Sequence, residues 1–153
     1  MRRTDGPWPV WEILPGRLYQ RGKLHPRFDV DQKVRGLTYY GITHAVALAP
    51  PQPDPDLVDF DDVGLFGYTH FPIPDGRLKT GAQMIELAHE LVMEEGCVLT
   101  MCNAGRNRSG LLSALIVREL RCVTGSEALD YVRHHRPEAL ANEHFEAFLR
   151  SLP

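Results

Sequence analysis

Two neighbouring segments constrain this chain more than any others. "CVLTMC" is a short apolar run, and from Ser109 to Leu120 nearly every side of the segment is apolar, with Leu111, Leu112, Ala114, Leu115, Ile116, Val117 and Leu120. A helix that is hydrophobic all round must lie inside the protein. A strand feeding such a helix through a short loop defines the centre of one core. The 153 residues of the chain suit a single domain built on that centre.

The remaining segments fit around it. "WEILPGRLYQRG" reads as a strand region broken by a Pro15-Gly16 turn. "DVDQKVRGLTYYG" reads as a helix capped by Asp29, with Gln32 at the reciprocal capping position, Gly41 at its end, and Val30, Val34 and Leu37 on one face. Thr43 to Ala49 is a small buried strand, and "PPQPDPD" is expected to stop regular structure. A strand ending near Phe71 leads into the loop "PIPDGR". Thr80 and Gln83 form a capping-box pattern for a helix burying Ile85, Ala88, Leu91 and Val92. Thr124 with Glu127 repeats that pattern, Pro137 stops the helix, and Asn142 caps a last one. The order predicts a single α/β domain over residues 1–153, a small mixed and mostly parallel sheet flanked by helices.

Composition removes several functions. A net charge of −3 supplies no global basic field for nucleic acid or anionic membrane. No apolar run is long enough to span a bilayer, and prolines interrupt the N-terminal apolar stretches where a signal peptide would need a continuous core. Three cysteines make no disulfide framework, so a reducing, cytoplasmic setting is expected.

The loop between the central strand and helix carries the chemistry. "MCNAGRNRSG" places Cys102 at its entrance and Arg108 at the start of the helix. The first turn of a helix leaves backbone N–H groups unpaired and partly positive, which favours anions. Gly105 and Gly110 let the backbone curl around such an anion, so Asn103, Ala104, Gly105, Arg106, Asn107 and Arg108 form a candidate phosphate cradle. Arg108 adds a planar fork matched to phosphate oxygens. The same positive field favours a thiolate at Cys102, a nucleophile aimed at phosphorus. Ser109 can hydrogen-bond the sulfur. No Gly-Lys-Ser/Thr follows, so the loop is not the nucleotide-binding P-loop. Asp75, on a loop with stiffening prolines and a glycine, is the candidate proton donor to the leaving oxygen. Asp54, Asp56, Asp61 and Asp62 are reserves, read as solvated loop charges. Cys97 and Cys102 with His134 and His135 could suggest zinc, but thiols five strand positions apart face opposite sides of a sheet. Arg106 either stands at the pocket mouth, attracting acidic substrates, or is solvated.

"CNAGRNRSG" resembles the signature loop of the cysteine-dependent protein tyrosine phosphatases, in their dual-specificity branch. "ILPGRLYQRG", "GITHAVALA", "FPIPDG" and "VRHHRPEALANEHFEAFL" are similar to that branch's opening strand, second strand, general-acid loop and C-terminal helices. The resemblance implies metal-free, cofactor-free hydrolysis of phosphate monoesters through a cysteinyl-phosphate. It implies Cys102 as nucleophile, Arg108 as phosphate clamp, Ser109 as thiolate stabiliser and Asp75 as general acid. The family usually has histidine before the cysteine, where this chain has Met101. The expected partner is a phosphorylated protein or other phosphomonoester, met by a monomer with no dedicated nucleic-acid or membrane surface. Phosphotyrosine leads, with phosphoserine and phosphothreonine beside it. Phospholipid or RNA 5′-phosphate hydrolysis, or an inactive phospho-binding module, are the alternatives.

Overall fold

The computed structural model describes residues 1–153. Six strands form one sheet: β1 (Arg2–Arg3), β2 (Val10–Leu14), β3 (Leu18–Gly22), β4 (His44–Ala47), β5 (Gly67–His70) and β6 (Val98–Cys102). Their spatial order is β1-β2-β3-β6-β4-β5. The β1–β2 and β2–β3 pairs are antiparallel, and the pairs from β3 through β6 and β4 to β5 are parallel. β6 is therefore central, and all five of its residues are buried. Alternation along it divides the core: Val98 and Cys102 face one apolar cluster, Cys97, Leu99 and Met101 the other. The two thiols thus lie on opposite faces of the sheet.

The larger cluster is covered by α3 (Gly81–Met93), α4 (Arg108–Arg121), α5 (Gly125–His135) and α6 (Glu143–Arg150). Ser109 to Val117 of α4 are all buried, as expected of a helix apolar on every side. Its polar Ser113 is matched by Thr100 of β6, with the two hydroxyl oxygens 2.8 Å apart. The smaller cluster is covered by α1 (Val30–Tyr39) and α2 (Pro55–Asp62). Capping boxes form at Asp29/Gln32 and at Thr124/Glu127.

Four expectations are corrected. "PPQPDPD" does not end regular structure: Asp54 accepts from the backbone N–H groups of Asp56 and Leu57, and Pro55 opens α2. Proline costs a helix nothing at its first position, where the N–H has no intrahelical partner. Thr80 makes no side-chain cap, because at φ −117° and ψ 32° it lacks the extended backbone a cap needs. Val30 is half exposed, and Leu37 alone of its predicted face is fully buried. Asp54 and Asp56 are not solvated loop charges. Their carboxylates lie 3.0 and 2.7 Å from the Nζ of Lys33, which is fully buried. This ion cluster fastens α1 to the start of α2.

Candidate active site

The loop from Cys102 to Arg108 leaves the carboxyl end of β6, the usual ligand-binding side of a parallel sheet. Its shape is held from behind. Gly105 has φ +69°, a left-handed conformation, and a Cβ there would meet the backbone N of Gly22 at 2.5 Å. Only glycine allows this approach. The Gly105 carbonyl accepts from Gln20 Nε2 at 2.9 Å and from Arg136 Nε at 3.3 Å. The carbonyls of Arg106 and Asn107 accept from the N–H groups of Leu140 and Leu111. Every one of these acceptors is turned to the protein. In contrast, no backbone N–H from Asn103 to Arg108 donates to a protein acceptor. A segment whose carbonyls at positions 105 to 107 are taken by the protein while its amides stay unshared, at a helix N-terminus, is a site for an anion.

Cys102 is 2% exposed, and its Sγ lies 3.2 Å from Ser109 Oγ. Arg108 donates from Nη1 to the carbonyl of Ile73 at 3.1 Å, while its buried Nε has no protein acceptor. A cavity of about 300 Å³ beside Arg108 is rimmed by Pro50, Pro51, Pro72 and Pro74 and shares Asn103 with the loop. Cys97 lies on the opposite face of the sheet from Cys102, where burial pushes its thiol up to about 12, leaving it protonated and inert. Met101 is packed into the smaller cluster, so the position before Cys102 is an apolar plug.

Asp75 is exposed but fixed. Its two carboxylate oxygens accept from Asn107 Nδ2 at 3.0 Å and Asn142 Nδ2 at 2.8 Å. Asn142 also donates to the Gly76 carbonyl and caps α6 through its own side-chain oxygen. The structure therefore brings Cys102, Arg108, Ser109, Asn107 and Asp75 together. Sequence reading found Asn142 only as a cap, and no local pattern marks its second role. Arg106 is exposed, its Nε 3.4 Å from the carbonyl of Glu138. His135 stacks on Tyr131, and His134 meets His135 edge to face. No group of three or more His, Cys, Asp or Glu side chains is placed to hold a metal ion.

A larger cavity, about 550 Å³, opens on the other side of the loop and shares Asn103 and Ala104 with it. Arg2, Arg21, Lys23, Arg27 and Arg136 line it, with Glu138 the one carboxylate. Arg21 lies over Trp8 and Phe28, and Arg136 over Trp11. Burial, then the nearby Arg27, brings the Arg21 guanidinium down to about 10.

No family model and no curated protein sequence matches the chain. Solved structures do. Tk-PTP in its active form superposes with a TM-score of 0.74 at 26% identity, over 94% of this chain and 95% of its own. Human DUSP28 gives 0.68 at 21% identity over 92% of each chain, and TpbA of P. aeruginosa 0.67 at 20% identity over 94% of this chain and 84% of its own. The chain therefore has the fold of the tyrosine and dual-specificity phosphatases. Its structural neighbours across nine-tenths of the chain are phosphatases of that superfamily. No helix is long and apolar enough to cross a membrane.

Proposed function

We propose that the protein hydrolyses phosphate monoesters with Cys102 as nucleophile. The unshared amides from Asn103 to Arg108, arrayed beyond the buried thiol, carry this reading. The phosphoryl oxygens take those amides and the free Nε of Arg108. The Cys102 thiolate forms a P–S bond as the P–O bond to the leaving group breaks, and the leaving oxygen takes its proton from Asp75. In the second step water attacks phosphorus, Asp75 accepts a proton from it, and the P–S bond breaks. The Ser109 hydroxyl, 3.2 Å away, donates to the departing sulfur. Asn107 and Asn142 hold the Asp75 carboxylate for both transfers. The protein substrate that fits the reaction best is phosphotyrosine, with phosphoserine and phosphothreonine beside it. Non-protein phosphomonoesters form a second reading, favoured by the cationic cavity next to the loop.

Turnover of aryl and alkyl phosphates tests this. Asp75→Asn is expected to slow alkyl phosphates by about 10²–10³-fold and aryl phosphates less, because a phenoxide leaves with less protonation. Arg108→Lys is expected to lose most activity, since an ammonium cannot supply a bidentate fork. Equal slowing of both esters in Asp75→Asn would move the acid role elsewhere.

A further inference from the structure

The cationic cavity is unlike the rest of the surface. The chain as a whole carries a net charge of −3, yet this one hollow gathers five cations against one carboxylate, a local excess of four (5 − 1). Of the five, Arg136 alone has an acidic partner, Glu138 at 3.5 Å. Arg2, Arg21, Lys23 and Arg27 form no ion pair. Arg21 is 6% exposed and is satisfied only by the carbonyls of Gly22 and Pro9. A buried cation costs stability unless an opposite charge meets it. Here the chain supplies none, and the position is open to ligand.

The cavity is also close to the chemistry. Gly22 is the parallel partner of Cys102 in the sheet, and Lys23 follows it. Asn103 and Ala104, the two residues that follow Cys102, line the cavity together with Gly22 and Lys23. We propose that this groove binds additional phosphate groups of the substrate, and that the preferred substrate is a compact polyol bearing several phosphate monoesters, one of which enters the Cys102 loop. The proposal rests on the phosphatase reading and narrows it.

Three observations select this ligand. An excess of four positive charges matches two phosphate dianions beyond the one being cleaved, more than a singly phosphorylated side chain offers. The volume, about 550 Å³, falls in the range of small-molecule clefts, about 300–1,000 Å³. A nucleotide is disfavoured because Trp11, the one aromatic ring lining the groove, already carries the Arg136 guanidinium.

The test uses the full chain as Cys102→Ser, with myo-inositol hexakisphosphate as probe and calorimetry as readout. Adding Lys23→Gln and Arg27→Gln is expected to weaken binding at least tenfold, whereas the charge-preserving Lys23→Arg and Arg27→Lys retain it. Thermal unfolding checks that each variant is folded. In the active enzyme, the ratio of kcat/KM for the polyphosphate to that for an aryl monophosphate is expected to fall at least tenfold in Lys23→Gln/Arg27→Gln, through KM, and to fall steeply with salt in the unsubstituted protein. Binding that ignores the two substitutions overturns the proposal. So does tighter binding of a doubly phosphorylated peptide than of the polyol. If the protein turns over no monoester but the charge-dependent binding persists, the groove stands and the phosphatase reading falls.

Discussion

Lys33 and Arg21 are both buried cations, and the chain treats them oppositely. Lys33 meets two carboxylates, Asp54 and Asp56, inside the protein. Arg21 meets carbonyl oxygens and aromatic faces but no acid. Burial of a charge is therefore not by itself a sign of function. A cation whose counter-charge comes from the same chain holds elements together. A cation left without one, beside a loop whose amides are also unshared, stands ready for an anion from outside. The two thiols repeat the contrast on the two faces of β6. Cys97 packs into the smaller apolar cluster with its pKa raised by burial, while Cys102 faces Ser109 and the open end of α4.

The sharpest way to break this contrast is to exchange the sulfurs one at a time. Cys102→Ser is expected to lower turnover of an aryl phosphate by at least about 10⁴-fold, and Cys97→Ser to leave it within about twofold. Equal losses would erase the functional distinction between the faces. A second experiment compares the cations by denaturant unfolding. Lys33→Met strands two carboxylates and is expected to cost about 3–5 kcal/mol. Arg21→Met gives up two hydrogen bonds to carbonyls and the cation's contact with Trp8 and Phe28 but strands no charge, and is expected to cost less, about 1–2 kcal/mol. If Arg21→Met were the more damaging, its guanidinium would be structural. The smallest effect concerns a half-buried base. Burial lowers the pKa of His44 below its ordinary 6.5. The unfolded chain therefore takes up this proton first as pH falls, and stability drops below pH 6.5. His44→Gln should flatten that part of the stability profile. A profile unchanged by the substitution would assign the slope to other groups.

The central strand, loop and helix were legible because each depends on contiguous residues: the all-round apolar pattern after Ser109 has one solution, a buried helix. Two capping boxes were legible for the same reason. The start of α2 was also written locally, as Asp54 before Pro55, but the surrounding prolines outweighed it in the reading. What could not be read is whatever converges from a distance. The cationic groove draws on residues near positions 2, 21–27, 103–104 and 136–138, and no spacing announces that meeting. Lys33 looks like any surface lysine until α2 brings two carboxylates to it. The tie from Asn142 to Asp75 spans 67 positions, and an asparagine before a helix already has a sufficient local explanation as a cap.

That tie couples the fraying of one helix end to the placement of Asp75. Asn142 both caps the eight-residue α6 and holds Asp75. Helix ends fray at far lower free energy than a core unfolds. When the first turn of α6 opens, Asn142 lets go of the carboxylate while the sheet and α4 remain intact. With Asp75 as the proposed proton donor, loss of activity on warming is expected to report this local event, a single turn of helix opening before the interior gives way.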